Sequence, residues 1–404
     1  MRKSQDRRWE FRGEITVFLS LMVVLLISLI GSLVESASIS LAKSMTQANL
    51  SLAMESIFAE YEPELWEEYG IFAKQGSALY SIEQRLAYYG ASNLDHKILR
   101  MELLSDGKGV ELYRQGVAAM GGNVVQMRPS TDSHLEEEAK EALSEYEALL
   151  ETENIEDPLH MESMGESVLL TNILPKEDHL SNKHIYIQSL PSHRQLKTGV
   201  GTQGEIQESL TGRWVFASYL TEHFLNYTND QNIHPLSYET EYLLAGKATD
   251  AENLEWVAKR LLAIRLGINY VCLQGDSQRL AKAESIAIAV SALMIAPEAK
   301  EIIKQALLFF WAYEDSLQDL QKLYAGEKVS LSGNPQETGI SYAGYLAALL
   351  AVERTEILCM RALDLIELNL GIEVDTLVTE LEVESTGTAR RNIPYICHTE
   401  YIYP

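Results

Sequence analysis

Residues 15–34, ITVFLSLMVVLLISLIGSLV, form a run of twenty with no formal charge. A helix of about twenty apolar residues crosses the ~30 Å hydrocarbon core of a bilayer, and in lipid only a helix or a closed barrel satisfies its own backbone. Three placements compete for such a run. A cleaved secretory signal has a shorter apolar region, about 7–15 residues, and Val34-Glu35-Ser36 is a poor cleavage site. A buried core helix does not suit a run flanked by five basic residues. A retained anchor suits both the length and the flank. Arg2, Lys3, Arg7, Arg8 and Arg12 precede it, and basic residues stay on the cytoplasmic side. The sequence thus predicts a cytoplasmic basic tail at 1–14, a transmembrane helix at 15–34 and an extracytoplasmic body, all in one cell-membrane protein.

The helix is expected to continue outside as a stem over 35–62. Residues 36–60 contain neither Pro nor Gly, and Ile39, Ala42, Thr46, Leu50, Ala53 and Ile57 step by three and four along one face. Pro63 closes that stretch. Ser28, Ser32, Ser36, Ser40 and Ser44 recur every fourth residue, a small-residue stripe of the kind that lets membrane helices approach closely. With Glu35 they are the candidate anchor interface. The competing account is that each hydroxyl bonds the carbonyl four residues back. Gly13 and Glu14, at the cytoplasmic edge, fit prepilin-type processing, although Phe18 stands at the fifth position after such a cut, where pilin-like patterns have Glu.

The body reads as α+β and mainly helical, in two regions. In 63–204, Glu67-Glu68-Tyr69-Gly70-Ile71-Phe72 suggests a short strand. Residues 77–89 and 110–120 suggest helices, the second broken by Gly121-Gly122. A surface helix is expected over the acidic stretch 134–157, and strands over 168–174 and 184–187. Gly199, Gly201 and Gly204 mark the expected boundary. In 205–404, helices are expected at 210–227, from Thr249-Asp250-Ala251-Glu252 (a capping box), at 276–295, from Pro297 to about 313, and over 341–370 up to Gly371. Alternation at 377–383 and 393–403 predicts a terminal β-hairpin turning at Ser385-Thr386-Gly387.

The formal charge of −25 opposes nucleic acid and anionic headgroups, so no nucleic-acid role is expected. Cys272, Cys359 and Cys397 are too few for a disulfide framework and read as small buried hydrophobes. No phosphate loop, zinc motif or nucleophile elbow appears. Gly199-x-Gly201-x-x-Gly204 has the letters of a dinucleotide fingerprint without the βαβ context. His179, His184 and His193, near Glu177 and Asp178, read as surface histidines, and Ser192-His193 as neighbours rather than nucleophile and base. No catalytic, cofactor or metal residue is assigned, and the expectation is a protein that is not an enzyme.

Arg12-Gly13-Glu14-Ile15-Thr16-Val17-Phe18-Leu19-Ser20-Leu21, with Glu35-Ser36-Ala37 at the outer end, resembles the anchor of TadE/TadG-like proteins of tight-adherence (Flp) pilus systems. The body resembles an uncharacterised family of membrane-anchored proteins of Gram-positive bacteria met in such pilus loci. That likeness rests on Ser56-Ile57-Phe58-Ala59-Glu60-Tyr61, Tyr69-Gly70-Ile71-Phe72, Leu190-Pro191-Ser192 and the stretch from Tyr238 to Lys247. It continues through Trp311-Ala312-Tyr313-Glu314 and Leu363-Asp364-Leu365-Ile366-Glu367. The resemblance implies a pilin-like or accessory component of a pilus or secretion system. Its partners would be the lipid bilayer and other membrane proteins of that system, met through the anchor and stem. A cell-surface binding module and a membrane-tethered hydrolase are the alternatives.

Overall fold

The first helix governs the architecture. In the computed structural model, which describes residues 7–76, 79–91, 94–126, 174–175, 180–202, 204–206, 208–229, 234–294, 297–330, 339–389 and 392–403, helix α1 runs unbroken over Arg7–Phe58. Its 52 residues correspond to about 78 Å. Every side chain from 15 to 34 is exposed. Among the described residues, Ile15–Phe58 is the one helix long and apolar enough to cross a membrane, with a mean hydropathy of 2.8 in its most apolar part. Of the stem face read from the sequence, Leu50, Ala53 and Ile57 are at most 1% exposed and Ile39, Ala42 and Thr46 half-buried, while Met54 and Phe58 widen the buried face at 1%.

The stem is buried against an antiparallel sheet. Strand β1 is Lys74–Gln75, β2 Asp95–Leu103, β3 Leu377–Ala389 and β4 Ile393–Ile402. The central strand is β3. It pairs with β2 from Asp95↔Thr386 to Leu103↔Val378, with β4 from Ala389↔Ile393 to Glu380↔Ile402, and with β1 at Lys74↔Val378 and Gln75↔Leu377. On the inner face Met101, Leu103, Leu381, Val383 and Cys397 close over the stem, together with Ile82 and Leu86. Full burial of such a side chain contributes roughly 1.5–3 kcal/mol. The Phe58 ring stacks on Tyr401 at 4.4 Å, and the Tyr403 hydroxyl donates to the Phe58 carbonyl at 2.6 Å. Farther back along the stem, Thr46 bonds the Tyr395 hydroxyl and the Gln47 amide donates to the His398 carbonyl. Cross-strand pairing puts Glu102, Glu380, Glu382 and Glu400 together on the other face, with Arg100 among them.

The rest is helical: α2 Pro63–Tyr69, α3 Leu79–Leu86, α4 Val110–Gln126, α5 Leu210–His223, α6 Glu239–Ala245, α7 Asp250–Gly275, α8 Ser277–Leu293, α9 Lys300–Tyr324, α10 Tyr342–Val352 and α11 Thr355–Leu370. The largest core joins α2, α4, α5, α6, α7, α10 and α11 around Tyr69, Tyr219, Tyr242 and Leu363. A smaller one, Leu273, Ala283, Leu308 and Ala312, holds the outer parts of α7, α8 and α9. The Thr249 hydroxyl caps α7 by accepting from the Glu252 amide, as the capping box predicts. Gly371 ends α11 in the left-handed region at φ +66°, a conformation cheap for glycine.

Several local expectations fail, each for an identifiable reason. Glu67 and Glu68 are helical, because Pro63 both follows the stem and starts α2 at its first turn, where its missing N–H costs nothing. Helix α4 runs through Gly121-Gly122 to Gln126, since packing of its earlier turns outweighs glycine's poor propensity. The strand β2 carries no clean alternation and was not anticipated. The stretch 184–187 holds one bridge, His184↔Thr249, and a 3-10 turn begins at Ile187. Ser385-Thr386-Gly387 lies inside β3, under the Tyr395 ring, and the strands reverse beyond Ala389. Gly199 is held on β2, where a Cβ would sit 1.9 Å from the Met101 carbonyl oxygen, and the largest core draws on both sides of residue 204. The acidic stretch 134–157, the expected strand at 168–173 and His179 lie outside the described residues.

Candidate functional site

The residues singled out in the expected anchor lie on one continuous helix. Gly13 and Glu14 fall within it, and Ser28, Ser32, Ser36 and Ser40 are exposed, with Glu35 half-buried. Back-bonding to the carbonyl four residues earlier occurs at Ser38 and Ser56. The fourfold serine spacing advances about 40° per step, so the stripe drifts by about 160° around the helix from Ser28 to Ser44.

Away from α1, the structure brings together residues that spacing did not connect. A cleft of about 530 Å³ is lined by Glu64, Glu67 and Glu68 of α2, His234 and Pro235 before α6, and Asn369 and Leu370 at the end of α11. The His234 ring lies between two carboxylates. Its Nδ1 is 2.7 Å from Glu239 Oε1 and its Nε2 3.0 Å from Glu68 Oε1. Glu239 is fully buried and also accepts from the Leu225 amide and from Asn369 Nδ2 at 2.6 Å. The same Asn369 nitrogen donates to the Tyr69 hydroxyl, which fixes the amide orientation and leaves its Oδ1 without a hydrogen-bond partner. The hydrogen bond to Glu239 is the main cause that raises the His234 pKa, aided by the charges of Glu239 and Glu68 and opposed by desolvation. A protonated imidazole therefore ties α2 to the start of α6. Both ring nitrogens are engaged in this arrangement, so the ring acts here as a charged clasp.

Other buried acids hold structure. Asp364 accepts from the Ser192 amide and hydroxyl and from the Tyr242 hydroxyl, so Ser192 pairs with an aspartate while His193 is exposed. Glu241, fully buried, accepts from the Tyr227 amide and the Tyr342 hydroxyl, and burial pushes its carboxyl up to about 7. Glu380 is raised to about 7 by desolvation and by Glu102 beside it, against the pull of Arg100. Arg265, 1% exposed, donates to Asp319, Asn269, the Tyr345 hydroxyl and the Ser330 carbonyl. His184 is exposed, Cys359 and Cys397 are buried thiols, and no disulfide joins the three cysteines. Among the described residues no group of three or more His, Cys, Asp or Glu is arranged to hold a metal ion.

Sequence reading missed the cleft because Glu68, His234 and Asn369 are separated by more than a hundred residues at each step. The only local signal was His234-Pro235 followed by Glu239.

The molecule is thus a mainly helical α+β protein with a long apolar helix near its amino terminus, compatible with a membrane anchor, and a carboxy-terminal β-hairpin. Residues 149–335 match a family of unknown function (DUF5702). The match covers under half the chain. It includes α5 to α9 with His234 and Glu239, and leaves out α1, the sheet, Glu68 and Asn369. No curated protein and no solved structure matches the chain.

Proposed function

We propose that this chain is a single-pass membrane protein with its amino terminus in the cytoplasm and its body outside. It acts without catalysis, as a pilin-like or accessory component of a tight-adherence (Flp) pilus or secretion system. The observation that supports this reading is the continuity of α1. The same helix carries the twenty uncharged residues and, four turns later, fills the inner face of the sheet with Leu50, Met54, Ile57 and Phe58. A body joined to its anchor by a rigid helix cannot swing freely, so it presents a fixed surface at a fixed height. An assembly subunit needs that geometry, whereas a tethered enzyme works equally well on a flexible linker.

Two measurements test the proposal. Protease added to intact protoplasts should digest the body and spare the tail, and a protected body would overturn the topology. Isolation of the pilus or secretion machinery should recover this chain, and its absence would overturn the assignment. A second reading, a surface binding module for a wall polymer or partner protein, draws on the open cleft of about 530 Å³. Binding of the purified body to isolated cell wall, abolished by Glu64→Lys with Glu67→Lys, would favour it.

A further inference from the structure

The stem has two long faces and the body covers one. Thr46, Leu50, Met54 and Ile57 point to the sheet. Roughly opposite, by the 100° turn per residue, lie Ile27, Gly31, Val34, Ser38, Leu41, Met45, Ala48 and Leu52. These eight positions follow an unbroken 4-3-4-3-4-3-4 spacing, the repeat with which two helices wrap around each other in a left-handed coil. They are also open. Ile27 is 65% exposed, Val34 58%, Leu41 62%, Met45 60% and Leu52 60%. A Cβ at Gly31 would meet nothing within 4 Å. The Ser38 hydroxyl is turned back onto the Val34 carbonyl at 2.8 Å, so it presents little unsatisfied polarity. Glu55 occupies the next position of the repeat and ends it. The strip is about 38 Å long and spans the outer part of the anchor and most of the stem.

We propose that a second copy of this chain docks in parallel along the strip from Ile27 to Leu52, forming a two-helix coil from the membrane into the stem. This deepens the anchor reading above and rests on it. Two observations select the occupant. Each copy carries the same uncharged segment, so the bilayer holds any two copies parallel and at equal depth, and every layer of the seam then meets itself. The small layers Gly31, Ser38 and Ala48 alternate with larger ones, which lets the backbones approach without a complementary partner surface. Charge gives the second argument. The chain carries −25 in total, yet the residues flanking the seam are Ser28, Ile30, Glu35, Ala37, Ala42, Ser44, Asn49 and Ser51. A basic partner would be met by carboxylates at these positions, which set partner choice in such coils. Here Glu35 is the one ionisable group among them, and a copy of the same acidic chain can come close.

Cysteine cross-linking in native membranes tests this on the full chain with Cys272→Ser as background. Single variants Leu41→Cys, Met45→Cys, Ala48→Cys and Leu52→Cys should give disulfide-linked dimers on mild oxidation. Lys43→Cys and Gln47→Cys, on the body side of the helix, should give none. All six positions are at least partly exposed, and Gln47→Cys alone gives up described side-chain bonds, that to the His398 carbonyl among them. In the Met45→Cys chain, adding Ala48→Arg should abolish the dimer while membrane insertion persists. A flat profile, no dimer at any position, or adducts whose mass is not twice the chain would each overturn the proposal. Failure of the chain to recover with a pilus machinery leaves this readout unchanged, and a protease-protected body reports failure of the anchor reading separately.

Discussion

The stem–sheet half and the helical half solve the same packing problem with different chemistry. Between α1 and the sheet the core is Leu, Ile, Val, Met, Cys and aromatic rings, and the carboxylates stay on the sheet's outer face. Inside the helical half, charges are buried and paired: Arg265 with Asp319, His234 with Glu239, Asp364 with Ser192 and Tyr242. Apolar surface gives strong adhesion with little directional preference. A helix running along a sheet gains direction from its own length and from the alternation of the strands. Helices packed on helices have no strand alternation to fix their register, and buried hydrogen-bonded pairs supply it in this half. The difference teaches that the two halves should fail differently when damaged.

The largest expected effect breaks the helical half at its charge pair. Arg265→Ala removes the buried partner of Asp319 and leaves it only the half-exposed Lys322, 3.7 Å away, so it should cost about 3–5 kcal/mol in denaturant unfolding. The double change Arg265→Met with Asp319→Leu should recover most of that, because the cost lies in the orphaned charge. Phe58→Ala should cost about 3–4 kcal/mol through cavity formation, and no polar swap elsewhere should rescue it. Hydrogen exchange should then rise first in β3 and β4.

A pH series sharpens the comparison. The Glu241 carboxyl is raised from 4.5 to about 7 in the fold, so its stabilising contribution is complete below about 4.5 and lost as pH rises towards 7. His234 is raised above 6.5, and its contribution is complete below that value and lost as pH rises through the folded one. Thermal stability should therefore fall between pH 5 and pH 8, with Glu241 contributing up to about 3 kcal/mol. Glu241→Gln should flatten the profile, and an unchanged slope would refute the assignment. The smallest effect is Tyr403→Phe, which loses the bond to the Phe58 carbonyl and should cost about 1 kcal/mol.

What the sequence revealed follows from how local each signal is. The membrane-length run, the stem face from Ile39 to Ile57, the Thr249 cap and the Gly371 stop each depend on residues within a few turns, and the structure bears out the helix, the face from Leu50 to Ile57, the cap and the stop. Alternation found both strands of the hairpin. It misplaced the turn because Ser385-Thr386-Gly387 has turn composition, while Gly387 is there to pass beneath Tyr395. The strand β2 stayed hidden because DHKILRMEL pairs through a register shift that disrupts its period. The His234 clasp was illegible, since its carboxylates come from α2 and α6 and its amide neighbour from α11.

The hydroxyl of Tyr403 closes on the carbonyl of Phe58 across 345 residues of chain. At about 5–20 residues per second, a ribosome needs roughly 20–70 s to cover that interval. Throughout it the stem is already made, and Leu50, Met54 and Ile57 have no strands to lie on. The strands that cover the stem are synthesised long after it, so each newborn copy passes through a long adolescence with a greasy flank uncovered. A cell that makes this protein must shield that flank, or tolerate premature contacts between unfinished neighbours.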